Sequence, residues 1–357
     1  MSAPSTILYS MTMAAALTTT SLPLPLVARG KVRDLYDAAE QQDGSSGGGG
    51  ALLFVATDRI SAFDIILASG IPSKGRLLHA LSTFWFDLLT PAILPSHILA
   101  SSPDAFPTAL KAKLDAAALE QLEGRTMLVR KARVVPIEAI VRGYLTGSGW
   151  AEYKRAGTVH GIKLADGIQE SQEIPNGPIF TPSTKAEQGE HDENIHPDKM
   201  VELIGEPLAK AVSDAAIALY SRAAQHAASR GIIIADTKFE FGLVAEPLPT
   251  HPAGAAKISS SGSLGSFEGY LILVDEVLTP DSSRFWSAAD YAIGRGQASY
   301  DKQYVRDWLK SQGLDKLAYD PAKAEEAKNV VLPDDIIKKT EERYREAYRL
   351  ITGKDFV

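Results

Sequence analysis

Acidic and basic residues alternate along one short segment of the chain. The segment GIIIADTKFEFGLV, residues 231–244, begins as an apolar β-strand and then carries Asp236, Lys238 and Glu240 at every second position. In a strand, side chains two positions apart point to the same face. Buried carboxylates need a cation, a hydrogen-bond partner or a metal. The spacing therefore indicates a polar site on one face of a sheet, although a cross-strand salt bridge on a half-exposed sheet would give the same pattern.

A second acidic pair ends the next predicted strand. The segment YLILVDE closes with Asp275 and Glu276, and only one of them is expected to share the face of Asp236, because neighbouring side chains alternate. If the two strands pair, Glu240 and Asp275 supply two carboxylates for a hard cation such as Mg²⁺, which takes oxygen ligands from carboxylates and phosphates. Lys238 would offset the repulsion between these acids and could also reach a phosphate.

The segment RGKVRD near the start of the chain could bind phosphate. It offers Arg29, Gly30, Lys31 and Arg33. The glycine lets a backbone approach an anion, and the flanking cations supply charge. Neither the Walker A spacing nor G-x-G-x-x-G occurs here. An ordinary strand start with solvated basic residues remains the alternative.

Two further segments combine an arginine with hydroxyl groups. EAIVRGYLTGSGW, residues 138–150, places Arg142 before Ser148, which is predicted to be the N-cap of the following helix. A capped helix N-terminus is itself a site for anions. TPDSSRFW, residues 279–286, places Arg284 after a turn. Both segments could bind a phosphate or carboxylate, and both could equally be ordinary turns.

Bulk composition excludes several classes of function. The chain has 357 residues, of which 45% are hydrophobic, enough for a sizeable core in one large domain or two. The net charge of −7 gives no general attraction for nucleic acid or anionic membrane. Anionic ligands must therefore be held by local clusters of Lys and Arg. The absence of cysteine excludes disulfides, thiolate metal sites and cysteine nucleophiles.

The beginning of the chain does not match a targeting signal. No apolar run reaches the roughly 18 residues of a membrane span. No Lys or Arg precedes Arg29, whereas secretory signals begin with a basic region and transit peptides are rich in arginine. We expect a disordered or loosely draped extension over residues 1–23 of a cytoplasmic protein. Met11 and Met13 are alternative start positions.

Strand-like and helical segments alternate around these residues, so neither an all-α nor an all-β fold is expected. Apolar periodicity predicts helices at 77–90, 197–230 with a break near Gly205 and Pro207, 301–313 and 333–353. Strands are predicted around 25–37, 51–58, 62–72, 126–145, 231–244 and 270–286. Polar or Gly- and Ser-rich composition predicts loops at 44–50, 170–195 and 246–268. His191, Asp192 and Glu193 are interpreted as solvated, since a zinc site would need more histidine at fixed spacing.

Six motifs together resemble the SAICAR synthetase (phosphoribosylaminoimidazole-succinocarboxamide synthase) family, in its stand-alone form. They occur in family order between Leu24 and Ile351: GKVRDLYD, ATDRISAFD, IVRGYLTGSGWAEY, GIIIADTKFEFG, DEVLTPDSSRFW and SYDKQYVRDWL. The resemblance implies an ATP-dependent carbon–nitrogen ligase of purine biosynthesis. It would join L-aspartate to carboxyaminoimidazole ribotide (CAIR) and release ADP and phosphate. It also implies an α+β fold with a small antiparallel-sheet nucleotide-binding lobe, residues 24–135, and a larger ATP-grasp-like lobe, residues 136–357.

The resemblance also implies roles for individual residues. Lys31 and its loop, with Arg29, Gly30 and Arg33, would cover the ATP phosphates, and Lys238 would lie near them. Glu240 and Asp275 would bind Mg²⁺ beside the nucleotide. CAIR would be held by Arg142, Ser148, Asp236 and Arg284, with Arg306 close by. Among these, Lys238, Asp236 and Arg284 are the candidate catalytic residues.

The implied partners are the small molecules ATP, CAIR and L-aspartate, with no nucleic acid and no membrane. We expect a monomer, because the added loops could cover surfaces that shorter relatives bury. One alternative is a Mg²⁺-dependent nuclease or phosphohydrolase, but the D-x-K-x-E order and the lack of a basic stripe do not favour it. A second alternative is an ATP-binding scaffold that has lost its activity, although every expected catalytic residue is present.

Overall fold

The computed structural model describes residues 15–38, 50–63, 65–90, 92–185, 193–252, 254–314 and 329–356. The predictions for residues 1–14, for the Gly-rich segment at 44–49, and for His191 and Asp192 lie outside these ranges.

Helices form in the four regions where apolar periodicity predicts them, and two short helices at residues 108–111 and 116–122 were not predicted. The described helices are α1 Lys74–Leu89, α2 Thr108–Lys111, α3 Ala116–Leu122, α4 Gly147–Ala156, α5 Pro197–Ile204, α6 Glu206–Ser229, α7 Gln303–Ser311 and α8 Asp334–Thr352, with a short 3₁₀ turn at Pro103–Ala105. The predicted break between α5 and α6 is confirmed at Gly205, whose φ is 81°. After α6, Gly231 takes φ 73°, a conformation that glycine adopts without steric cost.

The strands form two larger sheets and two hairpins, and every ladder between them is antiparallel. The strands are β1 Leu26–Arg29, β2 Arg33–Asp37, β3 Ala51–Ala56, β4 Arg59–Ala62, β5 Ile65–Gly70, β6 Ile98–Ala100, β7 Thr126–Arg130, β8 Arg133–Val134, β9 Ile137–Arg142, β10 Thr158–Val159, β11 Ile162–Lys163, β12 Ile179–Phe180, β13 Ser183–Thr184, β14 Ile232–Val244, β15 Ile258–Gly262, β16 Gly265–Val274 and β17 Ser283–Ser287. The first sheet has the order β1-β2-β3-β7-β6. The second has the order β12-β9-β14-β16-β15, with β8, β13 and β17 attached. The predicted combination of helices with antiparallel sheet is confirmed.

Strand β14 is the centre of the second sheet. Its first half pairs with β9 and β17, and its second half pairs with β16 and β8. The segment is long and rich in Ile, Phe and Val, which favour strands, and it is buried along most of its length. Its polar side chains are therefore held on a rigid element surrounded by neighbouring strands.

A β-bulge between Ile234 and Asp236 changes the face that β14 turns toward the core. Ile232 and Ile234 belong to the main apolar core before the bulge, and Phe239 and Phe241 belong to it afterwards. Even-numbered and odd-numbered positions can share one face only if an extra residue intervenes. The bulge therefore lets the chain bury apolar residues at both ends while Asp236 points away from that core.

The main core lies between the second sheet and helix α6. Buried residues of α6, such as Leu208, Val212 and Leu219, pack in the same cluster as those of β14. Helix α1 contributes Leu81 and Trp85 to this cluster, although in the chain it lies between β3 and β6 of the first sheet. The two sheets are thus connected through a shared apolar layer.

The loop predicted at 246–268 is wrong in its second half. Residues 258–262 form β15, which pairs with β16 as a hairpin. The Ser and Gly content has a packing role here, because a Cβ on Gly262 would lie 2.3 Å from the carbonyl oxygen of Leu203. Buried Ser260 donates to the carbonyl of Ile204 at 2.7 Å and accepts from the amide of Leu208 at 3.3 Å. Small residues let the β15–β16 hairpin lie directly on the α5–α6 junction. The same Ser- and Gly-rich composition is typical of loops, which is why the sequence predicted a loop here.

The described end of the N-terminal segment packs against the first sheet. Buried Thr20 donates to Asp34 at 2.5 Å and lies 2.7 Å from the hydroxyl of Tyr36. The amide of Leu17 donates to Asp58 at 2.8 Å. Among the described helices, we find none whose length and apolar content would let it span a bilayer.

Candidate active site

A cavity of about 1400 Å³ lies between the β1–β2 turn and the ends of β14 and β16. Five acidic residues line it: Asp37, Glu240, Asp275, Glu276 and Asp281. Nine basic residues line it: Lys31, Arg33, Arg130, Lys131, Lys185, Lys238, Arg284, Lys302 and Arg306. The lining therefore has four more positive than negative groups, although the whole chain carries −7. Such a local excess of positive charge in a cleft attracts an anionic ligand.

One side of this cavity is apolar. It is formed by side chains from both sheets: Val27, Leu35, Leu52, Phe54, Val129, Val134 and Val274. A flat heterocycle fits an apolar surface of this kind, while its charged substituents can reach the cations.

Lys238 and Glu240 both line the cavity, as their spacing on β14 predicts. Each has a partner that the spacing did not indicate: Lys238 pairs with Glu138 of β9, and Glu240 pairs with Lys185. Burial acts to lower the pKa of Lys238, but Glu138, Glu240 and Asp275 act in the opposite direction and raise the pKa above its usual value. Lys238 is therefore held as a cation beside the two carboxylates.

Asp275 and Glu276 both line the larger cavity, whereas alternation along a regular strand would place only one of them on a given face. Strand β16 ends at Val274, and Asp275 has φ 64°, a left-handed conformation that breaks the alternation of the strand. As a result both carboxylates reach Arg33, at 2.8 Å for Asp275 and 3.0 Å for Glu276. Burial acts to lower the pKa of Arg33, but the carboxylates raise it overall, while burial raises the pKa of Glu276.

A second cavity of about 240 Å³ contains the other predicted residues. Its lining includes every residue that the sequence assigned to substrate binding: Arg142, Ser148, Asp236, Arg284 and Arg306. Strand register explains why they meet. Asp236 lies opposite Arg142 of β9 on one side and opposite Arg284 of β17 on the other.

Asp236 is buried between two guanidinium groups. Its Oδ2 accepts a hydrogen bond from Arg142 at 3.0 Å and another from Arg284. Burial lowers the pKa of Arg142, and the nearby charge of Arg284 acts in the same direction, whereas Asp236 opposes both. One carboxylate thus fixes two arginines, which leaves positive charge available for an anion in this cavity.

The N-terminus of helix α4 also faces the second cavity, through Ser148. The prediction of Ser148 as N-cap is wrong: Thr146 is the N-cap, and Ser148 is the second residue of the helix. The helix begins earlier because the amide of Trp150 donates to the carbonyl of Thr146 at 3.2 Å, which makes Thr146 the first acceptor of the helix. The hydroxyl of Ser148 and the positive end of the helix dipole still lie where an anion would bind.

The two cavities share one wall. Lining residues common to both are Ser148, Lys238, Asp281, Arg284 and Arg306. A group bound in the smaller cavity can therefore contact one bound in the larger, with Lys238 beside each.

Arg29 is the one predicted site residue that lines neither cavity. It pairs with buried Asp34 at 3.3 Å and donates to the carbonyl of Thr20 at 3.3 Å. The antiparallel register of β1 and β2 places Arg29 opposite Asp34, away from the cleft. Gly30, Lys31 and Arg33 do line the larger cavity.

Sequence reasoning missed a buried charged group around Asp281. Its Oδ2 accepts from fully buried Lys74 at 2.6 Å, and Lys302 lies 3.8 Å from its Oδ1. The pKa of Asp281 is lowered: burial acts to raise it, but Lys74 and Lys302 outweigh that effect. Burial lowers the pKa of Lys302. Lys74 is the first residue of α1 and is followed by Gly75 and Arg76, so its local sequence does not distinguish it from a solvated lysine.

Asp301 was missed as well. It lines the smaller cavity and holds Arg306 at 2.6 Å through its Oδ2. Its Oδ1 is buried and has no hydrogen-bond partner among the described residues. Burial raises its pKa. The free oxygen could accept a hydrogen bond from an N–H or O–H group of a ligand.

The donor set at the strand ends fits Mg²⁺. Glu240 and Asp275 line the same cavity, and Val274, which precedes Asp275, lies opposite Glu240 in the ladder. Within the described ranges no cluster of three or more His, Cys, Asp or Glu has metal-binding geometry. A Mg²⁺ ion that accompanies a nucleotide commonly takes only one or two carboxylates, with phosphate and water oxygens completing its shell.

Comparisons with known proteins identify the family to which the chain is similar. The SAICAR synthetase family model matches residues 26–248 and 263–320. A phosphoribosylaminoimidazole-succinocarboxamide synthase from Cyberlindnera jadinii is 50% identical over 331 residues, which cover 93% of this chain and 95% of that protein. The same-named protein of Saccharomyces cerevisiae is 47% identical over 332 residues, 92% of this chain and 95% of that protein.

A solved structure agrees in fold as well as sequence. The SAICAR synthase of Saccharomyces cerevisiae, complexed with SAICAR, superposes with a TM-score of 0.76 and 44% identity, covering 96% of this chain and 99% of that one. The family model, the relatives and this structure all extend over most of the chain. The chain therefore belongs to the SAICAR synthetase family.

Proposed function

We propose that this protein catalyses the ATP-dependent ligation of L-aspartate to CAIR, which gives SAICAR, ADP and phosphate. Family membership supports the overall reaction. The observation that carries the site assignment is the shared wall, where Lys238 lines a large cationic cavity and a small one at once. ATP occupies the large cavity, with its base on the apolar side and its phosphates toward Lys31, Arg33 and Lys238. CAIR occupies the small cavity.

The chemistry requires that a carboxylate be activated before an amine can attack it. A carboxylate oxygen of CAIR attacks the γ-phosphorus of ATP, a new P–O bond forms, and the bond to ADP breaks. The amine of L-aspartate then attacks the acyl carbon, the C–N bond forms, phosphate leaves and the nitrogen loses a proton. Enzymes accelerate phosphoryl transfer of this kind mainly by positioning the reactants and neutralising charge.

The residues of the shared wall perform those two tasks. Lys238 neutralises charge on the phosphoryl group in transfer, and its raised pKa keeps it protonated. Asp236 holds Arg142 and Arg284 in place, and it binds ribose hydroxyls or the amine of CAIR. Glu240 and Asp275 would hold Mg²⁺, which when bound would supply positive charge that neutralises the phosphate groups.

The proposal also includes the division of the chain into two lobes, its location and its oligomeric state. We assign residues 24–135 to a small nucleotide-binding lobe and residues 136–357 to a larger lobe of ATP-grasp kind. The five-stranded sheet falls within the first range, and every strand of the eight-stranded sheet except β8 falls within the second, which supports the division. We also propose a cytoplasmic monomer that binds small molecules and no nucleic acid, and sedimentation velocity would measure its oligomeric state.

Omitting each substrate in turn tests the function directly. We expect ADP formation, measured in a coupled assay, to need ATP, CAIR and L-aspartate together and to stop when any one is left out. Phosphate release without CAIR or aspartate would instead support a phosphohydrolase. Nucleotide binding by calorimetry with no turnover would support the inactive scaffold.

Gly147→Ala is expected to weaken CAIR binding. A Cβ at this position would lie 2.5 Å from Nη2 of Arg284, so the guanidinium must shift from the position in which it lines the smaller cavity. We expect KM for CAIR to rise about tenfold, the equivalent of about 1.4 kcal/mol. Steady-state kinetics at saturating ATP and aspartate measure the effect.

Gly157→Ala is a matched control for that variant. Gly157 has φ 70° at the other end of α4, and a Cβ there would meet nothing within 4 Å. Both variants carry the backbone cost of a left-handed alanine, about 1 kcal/mol. Equal KM values for CAIR in the two variants would contradict the role given to Arg284.

A further inference from the structure

The carbonyl oxygens of the β1–β2 turn, residues 30–33, are all held by one neighbouring segment. Arg59 donates from Nη2 to the carbonyls of Gly30 at 2.9 Å and Arg33 at 3.0 Å. Its Nε donates to the carbonyl of Lys31 at 3.3 Å. Thr57 binds the carbonyl of Val32 through its amide at 2.9 Å and its hydroxyl at 2.8 Å. The carbonyl oxygens of residues 30–33 thus all point toward residues 57–59.

The guanidinium of Arg59 is itself fixed on every side. It is nearly buried, and it pairs at 2.7 Å with Asp34, whose side chain is fully buried. Its Nη1 donates to the carbonyl of Thr18 at 2.8 Å. Only the planar fork of arginine can serve this many acceptors in fixed directions, since the ammonium of lysine has three donors on one atom.

The direction of those carbonyls matters because of what the turn faces. Lys31 and Arg33 line the large cavity, whereas neither Arg59 nor Thr57 does. A carbonyl oxygen turned toward a polyphosphate would repel it, whereas backbone N–H groups and cationic side chains attract it. A turn can favour phosphate only if its carbonyls are satisfied on the opposite side.

We propose that Arg59 is a positioning residue for the phosphate-covering turn: it holds the carbonyls of Gly30, Lys31 and Arg33 away from the cleft, so that the side chains of Lys31 and Arg33 face the nucleotide. This inference rests on the proposed function, because it takes ATP as the ligand of the large cavity. Arg59 acts through the turn and does not touch the nucleotide.

The test compares Arg59→Lys with a matched control, Arg125→Lys, in the full-length protein. Arg125 is another nearly buried arginine with one acidic partner, Asp58 at 2.9 Å, but its bonds go to Asp58 and Ala56 and none goes to the turn. ADP binding is measured by calorimetry in the presence of Mg²⁺, KM and kcat by steady-state assay, and folding by thermal melting.

We expect Arg59→Lys to raise both Kd for ADP and KM for ATP about tenfold, with kcat changed less than about threefold and KM for CAIR unchanged. Arg125→Lys should leave KM for ATP within about twofold. If Arg59→Lys does not fold, Thr57→Val decides the question. It removes the hydroxyl that donates to the carbonyl of Val32 and accepts from the amide of Arg59 at 3.4 Å, and it should raise KM for ATP in the same direction.

Two results would overturn the inference while leaving the proposed function in place. One is wild-type nucleotide binding that Arg59→Lys and Thr57→Val do not alter. The other is an equal rise in KM for ATP in Arg59→Lys and Arg125→Lys, which would mean a general loss of packing. A wild-type protein that binds no nucleotide would overturn the proposed function and this inference with it.

Discussion

Asp275→Asn should reduce kcat/KM for ATP at least about 100-fold, the equivalent of about 2.7 kcal/mol of transition-state stabilisation. Asn keeps the size of Asp but loses the charge that a hard divalent cation requires. Arg33 and Lys185 now neutralise Asp275 and Glu240, and a bound Mg²⁺ would take over that role and leave both cations for the phosphates. The loss should therefore appear together with a higher Mg²⁺ requirement.

Glu276→Gln is the control that distinguishes two roles of Asp275, binding Mg²⁺ and holding Arg33. Asp275 and Glu276 both pair with Arg33, so each variant removes one partner of the same guanidinium. If Asp275 serves only to hold Arg33, the two variants should behave alike. Activity across a Mg²⁺ titration, and ADP binding with and without Mg²⁺, distinguish the two roles. Near-wild-type turnover of Asp275→Asn with unchanged Mg²⁺ dependence would end the metal assignment.

Asp236→Asn should lower kcat/KM for CAIR about 100- to 1000-fold, a loss typical of removing one preorganised group from an active site. Asp236 is the shared partner of Arg142 and Arg284. Without its charge the two guanidinium groups repel each other, and buried Arg142 loses its carboxylate partner. Breaking a buried pair in this way costs about 3–5 kcal/mol of stability. Kinetics in CAIR and the melting temperature measure the two effects separately.

Asp58→Asn is the control for Asp236→Asn. Asp58 is also a buried carboxylate paired with an arginine, Arg125, but it lines neither cavity. We expect it to lower the melting temperature while leaving KM for CAIR near the wild-type value. If Asp236→Asn lost stability but kept its KM for CAIR, Asp236 would be a structural residue only.

The local elements and most of the candidate site could be predicted from the sequence. Strand periodicity identified Asp236, Lys238 and Glu240 as one face, and the structure places all three in two adjoining cavities. Helix ends at Gly205 and Gly231 followed from the conformational freedom of glycine. These features depend on neighbours within a few residues, so a single segment contains the information.

The partners of the site residues could not be predicted in this way. Lys238 meets Glu138 across 100 positions, Lys74 meets Asp281 across 207, and Arg33 meets Asp275 across 242. Such contacts depend on how sheets and helices pack, and local spacing carries no record of that packing. For the same reason, local spacing did not indicate that Arg59 contacts the turn at residues 30–33.

The sequence by itself was enough to select the residues proposed to carry the chemistry, because residue type and the two-residue period of a strand are local properties. Tertiary structure decided where those residues point. The bulge at Ile234–Asp236 turns the acidic face out of the core, and the left-handed backbone of Asp275 brings two carboxylates to one arginine. Both are departures from regular geometry, and they persist because the surrounding ladders and ion pairs stabilise them.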